Sequence, residues 1–184
     1  MKNTGFTLIE VLIVVTIIAV LSAIILINYQ EGQAHLALQR STHILAQDIR
    51  RVQEMAMRAE DFQGTVARGG FGIRVESGTS TYILFADCNA NQVFNATGTA
   101  TNCNLATSVN PFPEQLEIRE LEKNINIVSV SPNPSTIVFI PPDPGTRINA
   151  GVATSTTIRL EVIVGGITTH REVIINNVGL IEIK

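Results

Sequence analysis

The sequence predicts an α+β fold, a long N-terminal helix followed by about seven or eight antiparallel strands arranged in two sheets. Three observations carry this reading. From Phe6 to Ile27 the chain is almost wholly aliphatic and holds one charge, Glu10. From Asn28 to about Asp61, apolar residues recur at spacings of three and four, the period of a helix with one buried face. Beyond Gly64 the composition shifts to Ile, Val, Thr and Asn, punctuated by Gly and Pro, which favours strands and turns.

The apolar run has 22 residues. At about 1.5 Å per residue it spans about 33 Å, enough for the hydrocarbon core of a bilayer. Residues 6–27 are therefore expected to form a transmembrane anchor, preceded by a short basic leader, residues 1–5. The leader has no apolar core of its own and no small-x-small cleavage site follows the run, so it is not an ordinary secretory signal. Lys2 on the leader places the N-terminus in the cytoplasm and the head outside. Glu10 is the unusual residue. A carboxylate costs about 2.5–3.5 kcal/mol at the bilayer centre and less near the end, where this one sits. It either reaches the headgroups or waits for a charged partner within an assembly.

Residues 28–62 continue the helix. Leu38, Thr42, Leu45, Ile49, Val52, Ala56 and Ala59 make one apolar stripe, and Arg40, Gln47, Asp48, Arg50, Arg51, Glu54 and Arg58 fill the other faces. No proline occurs before Asn110, so the reading is one uninterrupted helix of roughly 50 residues. Gly32 is a soft point, costing about 1 kcal/mol relative to Ala.

Residues 63–184 form the β-rich head. The glycines from Gly64 to Gly72 lack the phosphate-loop pattern and read as a helix exit and turn. Phe71–Glu76 and Thr81–Ala86 flank a turn at Ser77–Ser80 and read as a hairpin. Cys88 to Pro113 is polar and aperiodic, a surface loop. Gln115–Glu122, Asn126–Val130 and Thr136–Ile140 read as strands. Thr156–Val164 and His170–Ile175 make a second hairpin around Gly165-Gly166, and Leu180–Lys184 is a short final strand.

Chemistry is sparse. No G-x-S-x-G, H-E-x-x-H or S-x-x-K motif is present, and His35, His43 and His170 are scattered, so an enzyme is not indicated and no cofactor is implied. Asp87, Asn89 and Asn91 resemble the start of a D-x-N-x-N calcium loop. Gln92 stands where its glycine belongs, and Gly98 stands where a closing Glu is needed, so an Asx-rich turn is the stronger reading and no metal is assigned. The two cysteines, Cys88 and Cys103, lie in the head, where disulfides persist. A bond between them would close the Asn/Thr-rich loop; two free thiols are the alternative. The net charge of −3 and the acidic run Glu114, Glu117, Glu120 and Glu122 argue against a nucleic-acid partner. The run itself reads as a solvated edge.

Gly5-Phe6-Thr7-Leu8-Ile9-Glu10 ahead of a long aliphatic run resembles the processing site of type IV prepilins and type II secretion pseudopilins. The resemblance implies cleavage between Gly5 and Phe6 by a prepilin peptidase on the cytoplasmic side, N-methylation of Phe6, and a role for Glu10 in assembly. The order of elements is similar to that of the GspH/FimT-like minor pseudopilins. Arg50-Arg51-Val52-Gln53-Glu54-Met55-Ala56 matches their helix end, and Gly70–Ile73 with Tyr82–Asp87 their first hairpin. Ile137–Phe139, Ile158–Leu160 and Val178–Ile181 match their closing strands. Many major pilins carry a helix proline near the place of Ile27, and none is here.

By this resemblance the chain is a minor pseudopilin or pilin of a type II secretion pseudopilus or type IV pilus. The alternative is a FimT-like tip subunit for adhesion or DNA capture. The implied partners are other pilin or pseudopilin subunits, prepilin peptidase, the inner-membrane assembly platform and membrane lipid. The implied location is the bacterial inner (plasma) membrane, crossed once, with assembly into a pilus or pseudopilus.

Overall fold

In the computed structural model the described residues are 7–62, 64–95, 114–141 and 145–184, without the side chains of 24–28 and 30. They form one long helix, α1 (Leu8–Met57), and eleven strands in three antiparallel sheets. The α+β class and the long leading helix are as the sequence predicts.

The helix ends four residues earlier than the periodicity suggests. Its last turn closes as a Schellman motif: the Ala59 N–H donates to Ala56 O and the Glu60 N–H to Met55 O, both at 3.0 Å. Ala59 carries the left-handed φ of 47° that this motif demands, a place usually filled by Gly. The buried stripe therefore stops at Ala56, and Ala59 is exposed. Asp61–Phe62 (β1) pairs instead with Thr65–Val66 (β2) across Gly64, a small ribbon that periodicity cannot reveal.

The first large sheet has five strands. β3 (Gly70–Val75) lies at its centre, flanked by β4 (Thr81–Asp87) and β7 (Ser135–Ile140). β5 (Gln115–Glu120) and β8 (Gly145–Ile148) form its edges. The second sheet runs β11 (Ile181–Ile183), β10 (Ile167–Asn176), β9 (Ser155–Val164), β6 (Asn126–Ser131). The two hairpins stand where alternation and turn chemistry put them. Phe71 faces Ala86 in one, and Val164 faces Ile167 in the other. Gly165 and Gly166 both carry positive φ, as a two-residue hairpin turn with matched strand twist requires. β8 was not anticipated, because its four residues follow a Pro/Gly-rich stretch and show no periodicity of their own.

The second half of α1 packs on both large sheets, touching β3 and β7 of one and β9, β10 and β11 of the other. Leu38, Leu45, Ile49, Val52 and Ala56 are buried against Ile73, Phe139, Ile158, Leu160, Val173 and Ile175 in one continuous core. The other face of the five-stranded sheet carries a small second core of Phe85, Phe94 and Val138. There the Phe85 and Phe94 rings meet tilted at 5.4 Å, and the Arg74 guanidinium lies over Phe94. Gly72, opposite Phe85, leaves room for that ring: a Cβ there would fall 2.5 Å from Phe85 Cζ.

Polar ties complete the docking of the helix. The Tyr82 hydroxyl on β4 donates to Asp48 Oδ2 of α1 at 2.7 Å, and both residues are buried. Burial first, and the Asp48 carboxylate second, push the Tyr82 phenol well above its ordinary range. Arg119 Nε lies 3.3 Å from the same Oδ2 but out of line for a hydrogen bond, so that contact is coulombic. Arg40 pairs with Glu122 at 3.0 Å and Arg51 with Glu117 at 3.2 Å. The acidic run is thus more than a solvated edge: two of its carboxylates face arginines of the helix, and Glu114 is buried.

Candidate assembly site

The described helix begins at a cap. Thr7 is extended (φ −80°, ψ 148°), and its hydroxyl accepts the Glu10 N–H at 3.4 Å. Thr7 and Glu10 have the spacing of a capping box, in which a side-chain oxygen satisfies an N–H that the first turn leaves unpaired. That signal was present in the sequence and unused. It gives Glu10 a second, intramolecular reason to stand where it does: a carboxylate in the first turn faces the positive end of the helix dipole. The Glu10 side chain is exposed. The cleavage pair Gly5 and Phe6 lies outside the described residues.

From Leu8 to Leu21 the large apolar side chains point to every side of the helix, with exposures from 50% (Val14) to 83% (Leu8). None is covered by the head, whose contacts with buried residues of α1 begin near Ala34. A helix apolar all round finds its stable place in lipid or among other helices. Its hydroxyls are already satisfied: Thr16 Oγ1 donates to Leu12 O and Ser22 Oγ to Ile18 O, both at 2.8 Å. Such internal pairing is what an apolar surrounding demands of a polar group. Among the described residues no helix is long and apolar enough to cross a membrane. The described side chains of the run end at Ala23, and the run continues in sequence to Ile27.

The oxygen-rich loop after β4 is organised by its own backbone. Asp87 Oδ1 accepts the Asn91 N–H at 3.2 Å and Oδ2 the Gln92 N–H at 2.7 Å. Asn89 Oδ1 accepts the Asn91 N–H at 3.0 Å, and Asn91 Oδ1 the Val93 N–H at 2.8 Å. Ala90 and Gln92 take positive φ to allow this. Asp87, Asn89 and Asn91 are brought together, with their oxygens turned to N–H donors in the manner of Asx turns. Glu114 closes the loop from the other side, accepting the Cys88 N–H at 3.1 Å and the Asn95 N–H at 2.9 Å. Burial raises the pKa of both Asp87 and Glu114, and the backbone N–H groups oppose it. Among the described residues, no group of three or more His, Cys, Asp or Glu side chains could hold a metal ion. Cys88 is buried and is not a free thiol; Cys103 lies outside the described residues.

The described chain thus begins with a capped helix whose first turns expose apolar side chains and which leads into an α+β head. Residues 1–26 match the family model described as the prokaryotic N-terminal methylation motif. The match supports a type IV pilin or pseudopilin family, processed by prepilin peptidase. It covers the leader and the first part of α1 and none of the head. No curated protein and no solved structure matches the chain.

Proposed function

We propose that the chain is a minor pseudopilin or pilin of the GspH/FimT-like kind, a structural subunit rather than an enzyme. It enters a type II secretion pseudopilus or type IV pilus from the inner membrane. The observation that carries this is the methylation motif placed on a helix that exposes apolar side chains on every side from Leu8 to Leu21, clear of the head. In this reading residues 6–27 anchor the unassembled subunit in the bilayer, head outside, and later pack among neighbouring anchors. Peptidase cuts after Gly5, and the new Phe6 amino group is methylated.

Glu10 then pairs with the Phe6 amino group of a neighbouring subunit. Both charges lie near the same membrane depth, one helical turn apart, so the pair offsets part of the desolvation cost and sets axial register. Mass spectrometry of the membrane fraction tests the processing: the mature chain begins at Phe6, and an intact Met1 form in assembled filaments sinks the reading. Glu10→Ala should insert and be cleaved but incorporate poorly, and Glu10→Lys worse still. Incorporation of Glu10→Ala at the parental level would make Glu10 an interfacial bystander.

A further inference from the structure

The β9–β10 hairpin runs down beside α1 to the level where the helix leaves the head. A Cβ on Gly165 at its tip would lie 3.6 Å from Glu31 Oε1. Val162, Val164 and Ile167 share a small hollow with Ala34 and His35, which seats the tip against the helix. Three large side chains there are left open: Tyr29 at 64%, Ile163 at 63% and Ile167 at 61%. The pattern of the strands changes at the tip. The outward face of β9 runs Thr157, Arg159, Glu161, with Glu172 bonded to Arg159, and then turns apolar at Ile163. Ile167 pairs with Val164 on the opposite, inward face. The tip therefore leaves one large apolar side chain open on each face, Ile163 outward and Ile167 at the rim of the hollow against the helix.

We propose that this tip and Tyr29 form a foot that rests in the headgroup layer of the bilayer and fixes the orientation of the head before assembly. The inference rests on the anchor reading of α1. The apolar run ends at position 27. Tyr29 to Glu31 thus lie about 3–6 Å beyond the hydrocarbon edge, inside a headgroup layer roughly 5–7 Å thick. Tyr is the residue type that sits at that depth, with its ring in the apolar boundary and its hydroxyl in water. Glu31 and Glu161 lie beside the foot, and Arg40 and Lys123 line the hollow that Tyr29 and Ile163 share, so the local charge is of both signs. Against a zwitterionic lipid the contact then rests on apolar burial, which salt screens little.

The chain contains no Trp, which permits a direct test. Ile163→Trp, Ile167→Trp and Val178→Trp are made singly in the full chain, reconstituted in phosphatidylcholine vesicles brominated on the acyl carbons nearest the headgroups. Val178 is exposed and adjoins Gly179, whose Cβ would lie 3.0 Å from Gln53 Nε2, so it marks the far end of α1, about 33 Å from Glu31 along the axis. Emission from Trp at 163 and 167 should be quenched by the brominated lipid, at low and high salt alike, and emission from Trp at 178 should not. Equal emission at all three sites in vesicle-bound protein overturns the foot and leaves the anchor standing. Blue-shifted but unquenched emission at 163 or 167 means that a second copy covers the tip, which also overturns it. Failure of the chain to float with the vesicles overturns the anchor reading and the foot together.

Discussion

Tyr82→Phe tests whether the buried Tyr82–Asp48 bond holds the helix to the head. The change removes one hydroxyl and little volume, so packing is kept. What is lost is a 2.7 Å hydrogen bond to a buried carboxylate, a class worth about 1.5–3 kcal/mol. Asp48 keeps the coulombic contact with Arg119, which is 37% exposed, so the expected loss is near the lower end, about 1.5–2 kcal/mol. Asp48→Ala should cost more, about 2–3 kcal/mol, because it strands the buried Tyr82 hydroxyl. The double variant should lose less than the sum, with an interaction energy of about 1–2 kcal/mol. The assay is urea unfolding of the full chain in detergent micelles, followed by circular dichroism, for the four members of the cycle. Tyr82→Phe within about 0.5 kcal/mol of the parent, the range of an ordinary surface change, would refute the reasoning. So would strict additivity of the two changes.

Three further outcomes are expected. Ala59→Gly should stabilise the head by about 1 kcal/mol, because it relieves a left-handed residue at the helix end; an unchanged urea midpoint contradicts the Schellman geometry. Gly72→Ala should destabilise by about 1–3 kcal/mol, since its Cβ meets the Phe85 ring and the Ile137 carbonyl, and a neutral result means that Phe85 swings away freely. A Cys88–Cys103 bond should contribute roughly 3 kcal/mol in the chain-entropy model; thiol labelling of unreduced, denatured protein should find no reactive thiol, and two per chain would refute the bond.

Several elements were legible in the sequence because their signals are local. The 3–4 spacing from Leu38 to Ala56 marks a buried stripe, and the same residues are buried. Gly165-Gly166 between two strand-like runs marks a hairpin, and the strands pair across it, with β10 starting at Ile167 and not at the expected His170. The helix end was not legible, since the Schellman motif uses Ala59 where a glycine would have signalled the stop. Two-residue strands such as Asp61–Phe62 have no period to read. Thr7 and Glu10 carried a capping-box spacing that the resemblance around Glu10 overshadowed.

What the sequence by itself determined is the division of labour: an apolar run with a methylation motif, an amphipathic continuation and a β-rich remainder. Those follow from composition and period, which need no partner. What only the tertiary structure decided is where distant polar groups end up. Asp48 was counted among residues on the other faces of the helix, yet it is buried beneath Tyr82 and Arg119. Glu114, Glu117 and Glu122 read as one run and divide into a buried loop clamp and two ion pairs with the helix. The physical reason is common to all of them. A charge is stable in or near a core only when a partner meets it, and which partner arrives depends on how segments distant in the chain pack together, not on its neighbours in the chain.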